Sequence, residues 1–251
     1  MLAGINRLEV IGLENRKLYS GLDSLKSNTD AFSFKIKKRG EKMEEVRLKS
    51  HLSRFLNLRC SGDILNVVNP INNPEKEISE SWSILRKIKP LTLSDKMQYN
   101  ILDLCAGNAL TSIISIFVLP VKSALAMDIK VRKRHYELAQ RFDYQEQDIH
   151  ECEVYNFIDR NTIIVSSHPC KHALRIIEIF NNSLAKALCL IPCCNGDFDD
   201  LPGIGFLKEK LNKYDIWTYY LGTLINDSKT LSITTDWNCL SPKNNVIYAE
   251  K

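Results

Sequence analysis

The sequence predicts an α/β fold: a doubly wound, mainly parallel seven-stranded sheet with an antiparallel last strand, preceded by a basic N-terminal accessory region. Three observations lead there. From about Met97 onward, short apolar runs alternate with helix-like stretches at near-regular intervals. The last two runs are joined by a loop too short for a crossover helix. The excess of positive charge is confined to the first third of the chain.

AFSFKIKK alternates apolar and polar residues over 32–36, which predicts a short strand. The stretch 41–58 places Met43, Val46, Leu52, Phe55 and Leu56 near one helical face. Residues 66–77, with Pro70, Pro74 and several asparagines, predict a loop. ISESWSILRKIKP then predicts a helix led in by Ser79 and stopped before Pro90. The boundary between residues 1–95 and the second region, 96–251, falls around Ser94 to Lys96. Beyond it, strands are expected at 100–104, 124–128, 144–147, 162–166 and 187–192, and helices at 109–118, 131–142, 172–181 and 206–219. Runs 230–237 and 245–250 should pair antiparallel.

With 251 residues, 44% hydrophobic and 25% charged, the composition is that of an ordinary globular protein and excludes a wholly disordered or fibrous chain. The longest nearly apolar run, 109–121, has 13 residues and includes Thr111, Ser112 and Ser115, too short and interrupted for a bilayer span. No targeting signal is legible at the N-terminus, so the expected location is cytoplasmic, with no membrane partner. Several of the eight cysteines lie in apolar runs, where reduced thiols behave as small hydrophobes.

Residues 1–95 hold 17 Lys and Arg against 12 Asp and Glu, while 96–251 hold 17 against 18. Nine of those basic residues fall between Lys35 and Arg59. Lys35, Lys37, Lys38 and Arg39 are interleaved with Phe32 and Phe34, a composition suited to a phosphate backbone and stacked bases. A second cluster, Lys130, Arg132, Lys133 and Arg134, follows an expected strand end and is placed near the ligand edge. Its plain alternative is a solvated helix start.

ILDLCAGNAL is an apolar strand that ends in Asp103 and a small-residue turn, Cys105, Ala106, Gly107 and Asn108, before a helical run. Asp128 ends the next strand 21 residues after Gly107, a spacing at which an acid can bind ribose hydroxyls. Asp148 ends the third, where a carboxylate can accept from an exocyclic amine; Ile129 and Ile149 adjoin the two acids. The G-x-G-x-x-G fingerprint is absent, which argues against a dehydrogenase.

This constellation resembles the class I S-adenosylmethionine-dependent methyltransferases over residues 97–251, and a DLCA opening is familiar among their RNA-modifying members. The resemblance implies a Rossmann-like fold, S-adenosylmethionine as cofactor, Asp103 near its amino-acid part through the turn, Gly107 lining the turn, Asp128 at the ribose and Asp148 at the adenine. Of the usual glycines only the middle one stands here, with Cys105 and Ala109 at the flanking places. After the fourth and fifth strands the chain reads SSHPCKH and PCCNGD in place of an N-P-P-aromatic motif. An H-x-C followed by a Cys pair is similar to a subgroup that includes eukaryotic acceptor-stem tRNA ribose methyltransferases, with His168, Cys170, Cys193 and Cys194 at the matching positions.

His168 is the candidate base for a hydroxyl acceptor, ahead of His172 or Lys171; its plain alternative is a helix cap. Cys170, after Pro169, is the candidate nucleophile toward a cytosine ring, although the acid of the corresponding D-x-P-C motif is replaced by Ser167. Pro169, Lys171, Cys193 and Cys194 complete the expected acceptor side. No metal is expected, because adjacent cysteines chelate one ion poorly and no C-x-x-C is present. The expected function is methylation of structured RNA, tRNA or rRNA. The alternatives are a protein or small-molecule methyltransferase, and a subunit that binds cofactor without turnover.

Overall fold

The computed structural model describes residues 33–35, 45–47, 50–194 and 211–251. Strands β1 (Ser33–Lys35) and β2 (Glu45–Arg47) pair antiparallel with Phe34 opposite Val46. The first strand is as expected, but the helix expected over 41–58 is reduced to α1 (Ser50–Leu56). In the hairpin the backbone of 45–47 finds its partners in β1, which outweighs a helical periodicity carried mainly by Leu52 and Phe55.

Helices α2 (Ser61–Val68) and α3 (Pro74–Ser94) follow. The expected loop at 66–77 shrinks to 69–73, because Pro74 occupies the first helical turn, where its missing N–H has no partner to lose. The expected stop before Pro90 is also corrected, since α3 continues through it. Pro90 removes one backbone bond. Ile84, Leu85, Ile88 and Leu91 are buried on either side of it, so packing holds the helix across the break.

The main sheet contains β3 (Asn100–Leu104), β4 (Ser123–Asp128), β5 (Phe142–Glu146), β6 (Thr162–Ser167), β7 (Ala187–Ile191), β8 (Thr230–Thr235) and β9 (Asn245–Glu250). Its order is β5-β4-β3-β6-β7-β9-β8. Neighbours are parallel except that β9 runs antiparallel to both β7 and β8. This is the Rossmann-like, mainly parallel seven-stranded sheet with an antiparallel last strand that the sequence predicts.

Side chains alternate across the sheet. Ile101, Ile163 and Val165 share a core with α1 to α4, while Leu102, Leu104 and Ile164 pack on the opposite face. Helix α4 spans Leu110–Val118, α5 Ala173–Asn181 and α6 Lys213–Thr223. For the helix expected at 206–219, residues 206–210 lie outside the described residues, and α6 ends later than expected.

The helix expected at 131–142 does not form. That segment holds only a single 3₁₀ turn at Tyr136–Leu138, and β5 begins at Phe142. The place a crossover helix would fill is taken by α2, whose Val67 carbonyl accepts the His135 N–H at 2.9 Å. Tyr136 instead stacks on Tyr144, with ring centroids 5.2 Å apart. Helices α1 to α3 precede residue 96 yet contribute Phe55, Ile64, Ile84 and Ile88 to the core shared with β3 and β6. Among the described residues, no helix is long and apolar enough to cross a membrane.

Candidate functional site

From β3 the chain passes to β4 and β5 on one side, then crosses to β6 and β7 on the other. The connections leaving β3 and β6 therefore diverge, and a crevice opens at the carboxyl ends of the strands. A cavity of about 430 Å³ lies there, within the usual small-molecule range.

The turn after β3 forms one wall. Cys105, Gly107 and Ala109 have φ of 58°, 55° and 56°, so alternate residues are left-handed although only one is glycine. A Cβ placed on Gly107 meets no atom within 4 Å, so its backbone conformation, not crowding, favours glycine there. The Gly107 N–H donates to Asp128 Oδ2 at 2.9 Å, and its carbonyl accepts the Tyr144 hydroxyl at 2.9 Å. Burial in this wall pushes the Cys105 thiol up to about 12, with the Asp128 charge adding to it.

The expected residues divide clearly. Cys105, Ala106, Gly107 and Asn108 line the cavity, as do Asp128, Ile129, Asp148 and Ile149. Asp103 does not line it. It is 2% exposed and lies beneath the turn, accepting the Ser112 hydroxyl at 2.9 Å. Burial raises its carboxyl to about 7 against the lowering effect of the Ser112 bonds. Asp148 accepts the His150 N–H through Oδ1 at 2.9 Å. Ile129 is 66% exposed at the cavity lip, an apolar side chain left uncovered.

On the opposite wall, His168, Pro169 and Cys170 line the cavity; Lys171, Cys193 and Cys194 do not. Cys193 Sγ is 3.4 Å from both Cys170 Sγ and Cys194 Sγ. Of the expected nucleic-acid residues, Lys35 lies in β1, and Lys37, Lys38 and Arg39 fall outside the described residues. From the second basic cluster, Arg132 lines the cavity and Arg134 donates to Asn108 Oδ1 at 2.8 Å.

His168 has a φ of 57° and Cys170 of 52°, two left-handed residues around Pro169. Such strain collects where a site requires it. His168 Nε2 is 3.2 Å from the Lys243 carbonyl, a pure acceptor, which assigns the hydrogen to Nε2. Burial lowers the imidazole to about 4, despite that hydrogen bond, and the Lys76 charge acts in the same direction as burial. The neutral ring then carries its lone pair on Nδ1, 3.4 Å from Glu80 Oε1. Burial raises the Glu80 carboxyl, opposed chiefly by the charge of Lys76. The same Glu80 oxygen lies 3.6 Å from Lys76 Nζ.

Glu80, Glu77 and Lys76 come from α3 and are cavity residues that the sequence reading missed. A signal existed: Glu80, Ile84 and Ile88 repeat every fourth residue, so an acid stands on the buried stripe of the helix. Glu77 accepts the Asn108 side-chain amide at 2.9 Å, and burial raises its carboxyl.

No family model and no curated protein matches the chain in sequence. Among solved structures, it is similar to Thermoplasma acidophilum 1320, at 13% identity over 76% of this chain and 96% of that one, with a TM-score of 0.40. It is also similar to ribosomal protein L11 methylase from Lactobacillus delbrueckii subsp. bulgaricus, at 11% identity, 71% and 80% coverage and a TM-score of 0.43. A third is an O-methyltransferase family protein from Burkholderia thailandensis, at 12% identity, 85% and 79% coverage and a TM-score of 0.41.

Proposed function

We propose that the chain is an S-adenosylmethionine-dependent methyltransferase that modifies structured RNA, tRNA or rRNA. One observation carries this reading: at the strand-order switch, Asp128 and Asp148 stand at the ends of adjacent strands in one cavity, beside a turn with three alternating left-handed residues.

The residues present suit that cofactor. Two buried cavity atoms, Ser167 Oγ and Glu80 Oε1, have no aligned hydrogen-bond partner. A ligand rich in hydroxyl and amine donors satisfies such atoms, and a flat ring covers exposed Ile129. Asp128 holds the ribose in this reading, Asp148 with Ile129 and Ile149 the adenine, and residues 105–108 the amino-acid end, with Asp103 supporting the turn. Bound there, the cofactor supplies an activated methyl group on a sulfonium. The protein's own part is alignment of the acceptor and removal of its proton. His168 is the base in this reading: its Nδ1 lone pair takes the acceptor's proton, and the Glu80 carboxylate 3.4 Å away stabilises the imidazolium that forms.

RNA is favoured as acceptor by charge. Lys130, Arg132 and Lys133 are exposed after the strand that ends in Asp128, and Arg132 lines the cavity. The segment from Lys35 to Arg59 adds further phosphate-binding charge in the sequence.

Calorimetric titration with S-adenosylmethionine tests the cofactor: heat from the wild type that disappears in Asp128→Ala supports it. No heat from a folded, cofactor-free sample overturns it. Transfer of labelled methyl to purified tRNA or rRNA supports the acceptor, whereas label found only in protein or small molecules overturns that half.

A further inference from the structure

Cys170, Cys193 and Cys194 are the one group of metal-ligating side chains brought together among the described residues, with their Sγ atoms all within 4.8 Å of one another. They come from two loops, one after β6 and one after β7, which leave the carboxyl edge of adjacent parallel strands with Ser167 paired to Ile191. We propose that these three thiols form a zinc site that pins the two loops together on the acceptor rim of the cavity.

The spacing is that of thiolates around one small ion. Zinc–sulfur bonds of about 2.3 Å in a tetrahedron place neighbouring sulfurs about 3.8 Å apart. Here Cys193 Sγ stands 3.4 Å from Cys170 Sγ and 3.4 Å from Cys194 Sγ, so an ion is accommodated by moving the sulfurs apart by fractions of an ångström. The vicinal pair does not chelate alone, since Cys170 supplies the third ligand from the neighbouring loop. Cys170 also donates its backbone N–H to Cys193 Sγ at 3.2 Å, an interaction that favours a negatively charged sulfur. The left-handed conformation of Cys170 is part of the loop geometry that brings this amide to the partner sulfur.

Access and electron demand also favour a metal. Cys170 and Cys194 are exposed, which leaves an entry path. Three sulfurs cannot all be satisfied by one disulfide, whereas a soft divalent ion engages all three and releases their protons to solvent. The fourth position is left for water or a substrate atom, as in zinc sites that are not closed by protein. Because Cys170 and His168 line the same cavity, the ion braces the segment that carries the proposed base.

The test uses the full-length protein, reduced and stripped with chelator, and reads metal binding instead of methyl transfer, so it stands or falls apart from the proposed activity. One equivalent of cobalt(II) should produce sulfur-to-metal charge transfer and tetrahedral ligand-field absorption, both removed by added zinc(II). Cys193→Ser and Cys194→Ser, checked for folding by circular dichroism, should each weaken zinc binding by roughly 100-fold or more. Cys152→Ser, an exposed cysteine outside the group, should bind as the wild type does. A folded, reduced wild type without the cobalt band overturns the proposal. So does an undiminished band in both cysteine variants, or an equal loss in Cys152→Ser.

Discussion

Asp128 Oδ2 accepts the backbone N–H of Gly107 at 2.9 Å, so the acid at the tip of β4 holds the turn that follows β3. Tyr144, from β5, holds the Gly107 carbonyl from the other side. Three adjacent strands thus converge on one glycine. Asp128→Ala should destabilise the protein by about 2 kcal/mol, since a hydrogen bond to a charged group is removed, and Tyr144→Phe by about 1 kcal/mol. Urea unfolding measures both. If neither change moves the midpoint, the turn is held by other contacts.

Gly107 itself separates strain from crowding. With φ at 55° and no atom near an added Cβ, Gly107→Ala should cost about 1 kcal/mol from backbone conformation alone. Cys105→Gly should run the other way or be neutral, because relief of the left-handed strain offsets the entropy glycine gains on unfolding. Denaturation of the two variants side by side distinguishes them. Equal destabilisation would show that side-chain packing, not φ, governs this turn.

The part of this site legible in the sequence was the part built from strand ends. Asp128 ends β4 and Asp148 follows the end of β5, and parallel pairing puts those ends at one edge; Asp103, inside β3, supports the turn from beneath instead of lining the cavity. What local periodicity misses depends on tertiary competition. The 131–142 segment has helical periodicity but loses its place to α2, and α3 continues through Pro90 because its apolar face is buried on both sides. Glu80 was hidden for a related reason: its approach to His168 spans 88 positions of chain and depends on α3 packing against β6.

His168 and Glu80 should leave opposite marks on stability against pH. The folded imidazole sits at about 4, below the ordinary 6.5, so the unfolded chain binds the proton first. Its contribution is fully present above about 6.5 and is lost as pH falls toward 4, by up to about 3 kcal/mol. Glu80, raised by burial, contributes stability that is fully present below its ordinary value and lost as pH rises through its folded one. Unfolding free energies from pH 4 to 8 should therefore show the wild type losing ground to His168→Gln on acidification. Parallel curves would mean that His168 keeps an ordinary imidazole.

A second buried pair ties α1 to the connection between β8 and β9. His51, 0% exposed, meets Asp236 at 2.7 Å, and Arg86 reaches the same carboxylate at 3.3 Å. Burial would raise the Asp236 carboxyl, but the His51 hydrogen bond and charge hold it down at about 2. The resulting stabilisation, about 2 kcal/mol, is present above about pH 4 and is lost as pH falls through 2. His51→Ala leaves the carboxylate buried with Arg86 as its remaining ionic partner among the described residues, and should cost about 3 kcal/mol at neutral pH. Thermal unfolding at pH 7 checks it; a loss below about 0.5 kcal/mol, the size of an ordinary surface change, would mark the pair as dispensable.

The exposed cations after β4 provide the final test of the acceptor. Arg134 is engaged with Asn108, so its removal disturbs the turn, whereas Lys130 and Lys133 stand exposed. If RNA lies across this rim, Lys130→Ala with Lys133→Ala should weaken RNA binding at low salt and reduce the slope of log affinity against log salt by about 2, because two phosphates are no longer neutralised. S-adenosylmethionine binding in the same variant should be unchanged, since neither lysine lines the cavity. A retained slope would place the phosphate-binding charge elsewhere on the chain. Loss of cofactor binding together with RNA binding would instead mean that the two lysines support the segment between Asp128 and Tyr136, and that their charge is not what the RNA meets.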